Sequence, residues 1–520
     1  MATSTNINAA AAGAYTLTII GGGACGVATF LELYQQLQRT QRLDQVTIHL
    51  VEKRKKIAEG LAFGTSQTGH LLNTSANLMG IFVNEPDHYG QWVRGNEQAV
   101  VHQAAEVRED AQTFSPRRAY GVYLEEQYNV YVEEARAQGL RVEEHLEEAV
   151  DLLVEKPRMH VTLASGTVIV SDIVVLALGT PKPDVFPKLQ GKPNYIDFPW
   201  PSSRLIDFPC DAPVGVIGSS LSAIDTLMTL ADHEHRGKIT LYSLKGLLPK
   251  VQLVDNEELY ERQVFTLSNV HRLMREQGRT PRVTDLFRLF QQEVEQLEGQ
   301  PVDWQATKRS GQSAHTLLEG DIRAAQEGTD TLQRVVYSLR YESSVLWALL
   351  DEIERGRFSR WLGTYWKITR HCMPMINALR VRDLFEQKQL RVVGNTQDFQ
   401  YDEEKKQFVI ITPDATHTVP YLVNATGTAT DLDKMDMPLA KQLLDRSLVV
   451  PHPSGGIRAD RRTLRITVPK HPDLLLYGVG QLLTGELLDT NAVWFNVATV
   501  GRMCEDILWQ IDQHIQSQNA

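Results

Sequence analysis

Three glycines at positions 21, 23 and 26 follow a short β-branched run, YTLTII at 15–20, and precede a helical pattern through Phe30, Leu31, Leu33 and Leu37. With that spacing the first glycine permits a tight turn, the second lets a pyrophosphate approach the backbone, and the third lets the helix pack closely on its strand. The next strand, VTIHLV at 46–51, delivers Glu52 26 residues beyond Gly26, where a carboxylate can receive hydrogen bonds from ribose hydroxyls. Gly21, Gly23, Gly26 and Glu52, with Cys25 inside the same turn, are therefore expected to contact a bound dinucleotide. The chemistry is recognition of phosphate and ribose by strand, turn and helix together.

The same grammar recurs. VGVIG at 214–218 runs into SSLSAIDTLMTL and then a strand at 238–243. Here the fingerprint is Gly218, Ser220 and Ala223, with small residues in place of two glycines. Each unit is followed by hairpin-like strands and a buried run ending in a small-residue turn: LRVEE at 140–144 and DIVVLALGT at 172–180, then LRVV at 390–393, FVIIT at 408–412 and YLVNATGT at 421–428. Gly179 and Gly427, in those two turns, are expected at the nucleotides. Paired buried strands that return to one sheet edge predict two dinucleotide-binding domains.

The elements that must carry these motifs fit an ordinary soluble composition. The chain has 520 residues, 42% hydrophobic and 22% charged, enough for about three compact units. A formal charge of −11 repels nucleic acid and anionic lipid, so neither is an expected partner. Cys25, Cys210, Cys372 and Cys504 stand alone, without a CxxC pair or metal-ligand spacing. No metal site or redox dithiol is expected, and free thiols fit a reducing compartment. The first basic residue is Arg39, so a secretory leader is not expected; Met1–Ala14 reads as a flexible tail and the cytoplasm as the location. No apolar run approaches the roughly 20 residues of a membrane span.

The arrangement resembles the two-dinucleotide-binding flavoprotein fold, and further stretches look like the bacterial FAD-NAD(P)-binding family, relatives of the flavin-dependent N-hydroxylases. They are GHLLNTS at 69–75 with Met79, FSPRRAYG at 114–121, GLLP at 246–249 and RHCMP at 370–374. The resemblance implies an α/β chain with two Rossmann-like dinucleotide-binding domains, for FAD and NAD(P), and a large helical insertion. The expected layout is 1–200 for the first part of the FAD domain, 201–430 for the NAD(P) domain, and 431–520 for the return to the FAD domain. LLLYGVG at 474–480 fits that return, with Gly480 and a helix beginning near Asn491 facing the flavin. The resemblance also implies that Asn73 runs beside the isoalloxazine and that Arg370 and His371 lie near the domain junction. Asn73, Arg370 and His371 are the candidate catalytic or anchoring residues, and Arg117, Arg118 and Tyr120 are possible FAD phosphate or ribose contacts. Two departures stand out: SLKG at 243–246 replaces a Ser-Arg pair, and LDTN at 488–491 replaces a Glu-Thr pattern. Lys245 can meet a 2′-phosphate as a point charge, and the absence of an acid at Ser243 or Leu244 favours NADPH, with NADH the alternative.

Between about 248 and 362 the chain reads as helices. Val283, Leu286, Phe287, Phe290, Val294 and Leu297 form one apolar stripe, and Val345, Leu349 and Ile353 a second. So large an insertion is expected to be either a substrate lid or a homo-oligomer interface. With FAD performing the electron chemistry, three outcomes stay open: monooxygenation with molecular oxygen, NAD(P)H dehydrogenation, and oxidation of an amine or alcohol. The resemblance favours a monooxygenase acting on a small amine-bearing metabolite or amino acid. A nucleotide-binding protein without turnover, serving as a redox-responsive partner, is the alternative from another class.

Overall fold

The computed structural model describes residues 6–7, 15–96, 114–253, 259–309 and 311–519. Of the tail expected at Met1–Ala14, only Asn6–Ile7 is among them, and it pairs in parallel with Val168–Ile169. The rest of that expectation lies outside the described residues.

Two parallel five-stranded sheets carry the molecule. In the first, Tyr15–Ile20 lies between Ile173–Leu176 and Val46–Val51, with Leu476–Gly478 and Arg141–His145 at the edges. In the second, Val214–Ile217 lies between Tyr421–Asn424 and Ile239–Tyr242, with Tyr195–Ile196 and Leu390–Val393 at the edges. Four strands of each sheet, counted from the one that leads into the turn, take the same order; the fifth, an edge strand, comes last in the first unit and first in the second. Each sheet also has a smaller companion: Ala149–Glu155, Arg158–Leu163 and Val168–Ser171, antiparallel and extended to four strands by the parallel Asn6–Ile7, in the first, and the three antiparallel strands Asp398–Asp402 to Thr416–Val419 in the second. These are the two Rossmann-like units, and the duplication legible in the sequence is a duplication of topology.

The central strands form because they are buried on both faces: every residue of Tyr15–Ile20 and of Val46–Val51 is buried, so β-branched runs suit them where alternation would not. Helices Ala24–Arg39 and Val493–Asn519 pack on one another, the buried Cys504 thiol lying 3.9 Å from the Thr29 carbonyl oxygen. The last helix thus belongs to the first sheet, as the return of Leu476–Gly478 requires. The second sheet takes its edge strand Tyr195–Ile196 from ahead of residue 201.

The insertion is helical as expected, but its helices run on to Arg370, from Leu267–Gln277 and Val283–Glu298 to Glu352–Trp361 and Gly363–Arg370. One of them, Ala314–Glu327, buries Leu318, Ile322 and Ala325 against the core of the second unit. The second expected apolar stripe does not exist. The chain breaks after Ser343–Leu349, and Asp351 caps a new helix by accepting the Glu354 N–H, so Leu349 and Ile353 sit on different helices. Val345 and Ile353 are exposed, at 44% and 73%.

Candidate functional site

The glycine turn of the first unit is shaped by its neighbours. Gly21 adopts φ +110°, and a Cβ there would lie 2.1 Å from the Ala177 carbonyl oxygen; a Cβ at Gly26 would lie 1.9 Å from the Gly21 oxygen. Both glycines are required by the protein itself. Gly23 differs, because an added Cβ would meet only the Gly60 Cα, at 3.5 Å, an ordinary contact. Gly23 also precedes helix Ala24–Arg39 without a side-chain cap, leaving first-turn N–H groups for an anion. This is a cradle that a side chain would fill, and it fits a dinucleotide pyrophosphate.

Glu52 is buried, and its two oxygens accept the Gly22 N–H (2.8 Å) and the Arg54 N–H (2.9 Å). It therefore fastens the strand end to the turn while each oxygen keeps a lone pair for a ribose hydroxyl. Gly480, at φ +80°, lies against this turn, a Cβ there falling 3.2 Å from the Cys25 Sγ. Burial pushes the Cys25 thiol up to about 12, so it is protonated at neutral pH. Gly179 adopts φ +68° and Gly427 φ +98°, and an added Cβ at either meets nothing within 4 Å.

The second turn repeats the first. Gly218 adopts φ +114° with the Ala425 oxygen 2.6 Å from an added Cβ, and Ser220 precedes helix Leu221–Asp232 with no side-chain cap. Ala223, fully buried, holds the third position. Lys245 is exposed beside Leu244, on a turn fixed by Ser243 Oγ, which accepts the Gly246 N–H at 3.0 Å.

The two units are stitched together by the stretches that carried the family resemblance. Gly69 donates its N–H to Asp232 Oδ2 (3.1 Å), and His70 Nε2 lies 3.0 Å from the Asp225 carbonyl oxygen. Arg117 Nη2 pairs with Asp225 Oδ2 at 2.9 Å, so this arginine joins the first unit to a helix of the second. Tyr120 is fully buried with its hydroxyl unpartnered, and Asn73 is half-buried in the loop after these contacts.

Arg370 and His371 come together with the C-terminal return. The Arg370 guanidinium is buried, stacks over Tyr337 (5.3 Å) and Trp494 (5.7 Å), and approaches Asp489 no closer than 4.0 Å. Its Nε and Nη2 have no hydrogen-bond partner. Arg340, also buried, lies over the same Tyr337 ring at 5.4 Å, and burial together with Arg370 lowers its pKa. Asp489 accepts a hydrogen bond from Ser343. His371 is driven down to about 3 by burial and by Arg370 and Lys367, so it is neutral, and Asn491 Nδ2 lies 3.3 Å from its Nε2. Two buried guanidiniums thus share the Tyr337 ring, Arg370 with donors unused and 4.0 Å from the Asp489 carboxylate, a concentration of positive charge with the composition of an anion receptor. Sequence reading found Arg370 and His371 but missed Arg340 and Ser343, which no spacing connects to residue 489.

Residues 18–181 match the model of the FAD-NAD(P)-binding family. No curated protein matches by sequence. Among solved structures, ornithine hydroxylase from Pseudomonas aeruginosa is 13% identical with a TM-score of 0.57, over 96% of this chain and 100% of that one. L-lysine 6-monooxygenase from Pseudomonas syringae is 10% identical with a TM-score of 0.55, over 96% and 99%. The Kutzneria sp. 744 ornithine N-hydroxylase, solved with reduced FAD, NADP+ and L-ornithine, is 14% identical with a TM-score of 0.53, over 96% and 99%. The shared fold is the two-dinucleotide-binding flavoprotein fold. Among the described residues no helix is long and apolar enough to cross a membrane.

Proposed function

With an FAD-NAD(P)-binding first unit as premise, we propose that the chain is an NADPH-consuming flavin monooxygenase that hydroxylates the nitrogen of a small amine-bearing metabolite or amino acid. Bound FAD and NADPH supply the electrons, and with oxygen the oxidising power, of that reaction. In this reading Gly21, Gly23, Gly26 and Glu52 hold FAD, and Gly218, Ser220 and Lys245 hold NADPH.

The observation that carries the substrate side is the buried Arg370 with two unpartnered N–H groups beside Arg340. A substrate carboxylate placed there completes both the hydrogen bonding and the charge balance, which a neutral ligand does not. The neutral His371 does not repel an amine, and an unprotonated amine is the nucleophile that N-hydroxylation needs. The insertion packs on this region: Trp347 Nε1 donates to the Gly485 carbonyl oxygen (2.8 Å), and Arg461 Nη1 donates to the Ala348 carbonyl oxygen (3.2 Å). That placement favours the lid reading of the insertion, since water is kept from the reacting nitrogen.

The test is a panel of amino acids and their decarboxylated amines, scored for NADPH oxidation, oxygen uptake and hydroxylamine formation. An amino acid should stimulate all three where its amine does not. Arg370→Gln should raise KM for the active compound by about 100-fold, the size of a lost charge-assisted pair, with a smaller change in kcat. NADPH oxidation without hydroxylamine across the whole panel would reject the reading.

A further inference from the structure

Helices Val283–Glu298, Ala314–Glu327, Ser343–Leu349, Glu352–Trp361 and Gly363–Arg370 line a cavity of about 530 Å³, open to solvent on one side, that the anion receptor does not use. Its core is aromatic. Phe287 lies 6.2 Å from Phe290 with the rings near parallel, and meets Trp304 at 5.8 Å and Trp361 at 5.0 Å edge to face. The largely buried charged side chains on its wall are engaged elsewhere. Arg309 holds Asp321 through two hydrogen bonds of 2.8 and 2.6 Å, Lys250 pairs with Asp330, and Trp304 Nε1 donates to Glu295 at 2.8 Å. Ser343, which lines the cavity, spends its hydroxyl on Asp489. Among the described residues, the one buried wall nitrogen without a partner is Arg309 Nε, a single donor.

We infer that this cavity is a binding site for an uncharged, largely aromatic small molecule of two or three rings, separate from the anion receptor. The volume falls within the range of small-molecule sites, roughly 300–1,000 Å³, and the lining is of their kind. A charged ligand is disfavoured in the aromatic interior because the largely buried wall cations Arg309 and Lys250 are already paired with Asp321 and Asp330, while Lys308 is exposed to solvent and hydrogen-bonded to Gln305, so a carboxylate or ammonium among the rings would lose its hydration without compensation. Water is a poor occupant for the same reason, having almost nothing to bond. Aromatic walls set edge to face accept flat rings in the same geometry. Ser343 and Leu488 form the partition, lining the cavity on one side while the first hydrogen-bonds Asp489 and the second adjoins it in sequence. The inference goes beyond the hydroxylase reading and does not depend on it, since it concerns equilibrium binding alone.

Equilibrium dialysis of the flavin-loaded protein against N-phenyl-1-naphthylamine, with 1-naphthoate and 1-naphthylmethylamine as charged counterparts, tests it. The uncharged probe should saturate at one molecule per chain with micromolar affinity, and each charged probe should bind at least tenfold more weakly. Phe287→Ser/Phe290→Ser should weaken the uncharged probe by at least tenfold. Gly320→Phe should do the same by partial filling: Gly320 is on the wall, an added Cβ meets nothing within 4 Å, and the replacement removes a helical glycine. Absence of saturable binding to the wild type, or unchanged affinity in a folded Gly320→Phe protein, would overturn the inference. So would equal affinity for the charged probes.

Discussion

Two alanine substitutions three residues apart in one turn should fail for different reasons. In Gly26→Ala the new methyl would stand 1.9 Å from the Gly21 oxygen, so strand and helix must part. Overpacking against backbone of this kind is expected to destabilise the first unit by about 3 kcal/mol or more, with or without flavin. In Gly23→Ala the methyl meets the protein only at 3.5 Å, and φ there is −78°, which alanine adopts freely. The apoprotein should therefore unfold within about 1 kcal/mol of wild type. What the methyl occupies is the approach of the pyrophosphate to the uncapped helix. Losing two charge-assisted N–H bonds at about 1.5–3 kcal/mol each weakens FAD by roughly two to four decades. Urea unfolding of both apoproteins, with flavin titration followed by fluorescence quenching, separates the cases. An FAD affinity in Gly23→Ala within threefold of wild type would refute the cradle assignment, and an apoprotein as unstable as Gly26→Ala would refute the steric reasoning.

Ser220→Val should slow flavin reduction by NADPH at least tenfold with FAD content unchanged, and it avoids the backbone strain that any side chain brings at Gly218, where φ is +114°. Lys245→Ala should weaken NADPH by about tenfold more than NADH if the lysine meets a 2′-phosphate, and stopped-flow reduction with both coenzymes reads the ratio. His49 lies buried beside His145 and is pushed down to about 4 by burial and that neighbour, whereas the unfolded chain takes up its proton near 6.5. Protons thus favour the unfolded state as pH falls from 6.5 towards 4. Between pH 7 and 5 this contributes about 2 kcal/mol of lost stability, which His49→Gln should abolish in urea titrations at the two pH values.

Both sheets were legible because their central strands are buried on two faces and read as continuous β-branched runs, and both turns because glycine or a small residue is the only solution where φ is positive against a carbonyl. The substitution of Ala223 for the third glycine was legible too, as a position that tolerates one methyl. The break at Asp351 was readable from its Asp-x-x-Glu cap, residues 351–354, yet the apolar spacing of Val345, Leu349 and Ile353 outweighed it. Arg340, Arg370, Ser343 and Asp489 were not readable as a group. Their meeting depends on how the insertion folds back on the C-terminal return, and packing of that range leaves no period in the sequence. The aromatic cavity lies between: the stripe of Phe287 and Phe290 was visible, but whether it would bury against helices or line a space was set by Trp304 and Trp361 arriving from elsewhere.

Leu488 joins these two sites under strain. It holds φ +68° and ψ −63°, with the Asp489 N–H donated to the Leu487 carbonyl oxygen at 3.0 Å, a γ-turn that a branched residue adopts at a cost of about 1–3 kcal/mol. Its side chain repays the strain by packing on Val283, Trp347 and Leu350. Leu488→Gly removes both terms, so the urea midpoint of the flavin-loaded protein should move little, the net change staying within about 1 kcal/mol. The placement of Asp489 should suffer instead, because the turn that sets its carboxylate against Ser343 and 4.0 Å from Arg370 is no longer held in one shape. The expected signature is a raised KM for the amino acid substrate and more hydrogen peroxide per NADPH, with FAD affinity unchanged. A loss of several kcal/mol with unaltered KM would mean that the leucine serves packing alone and that Asp489 needs no help from the turn.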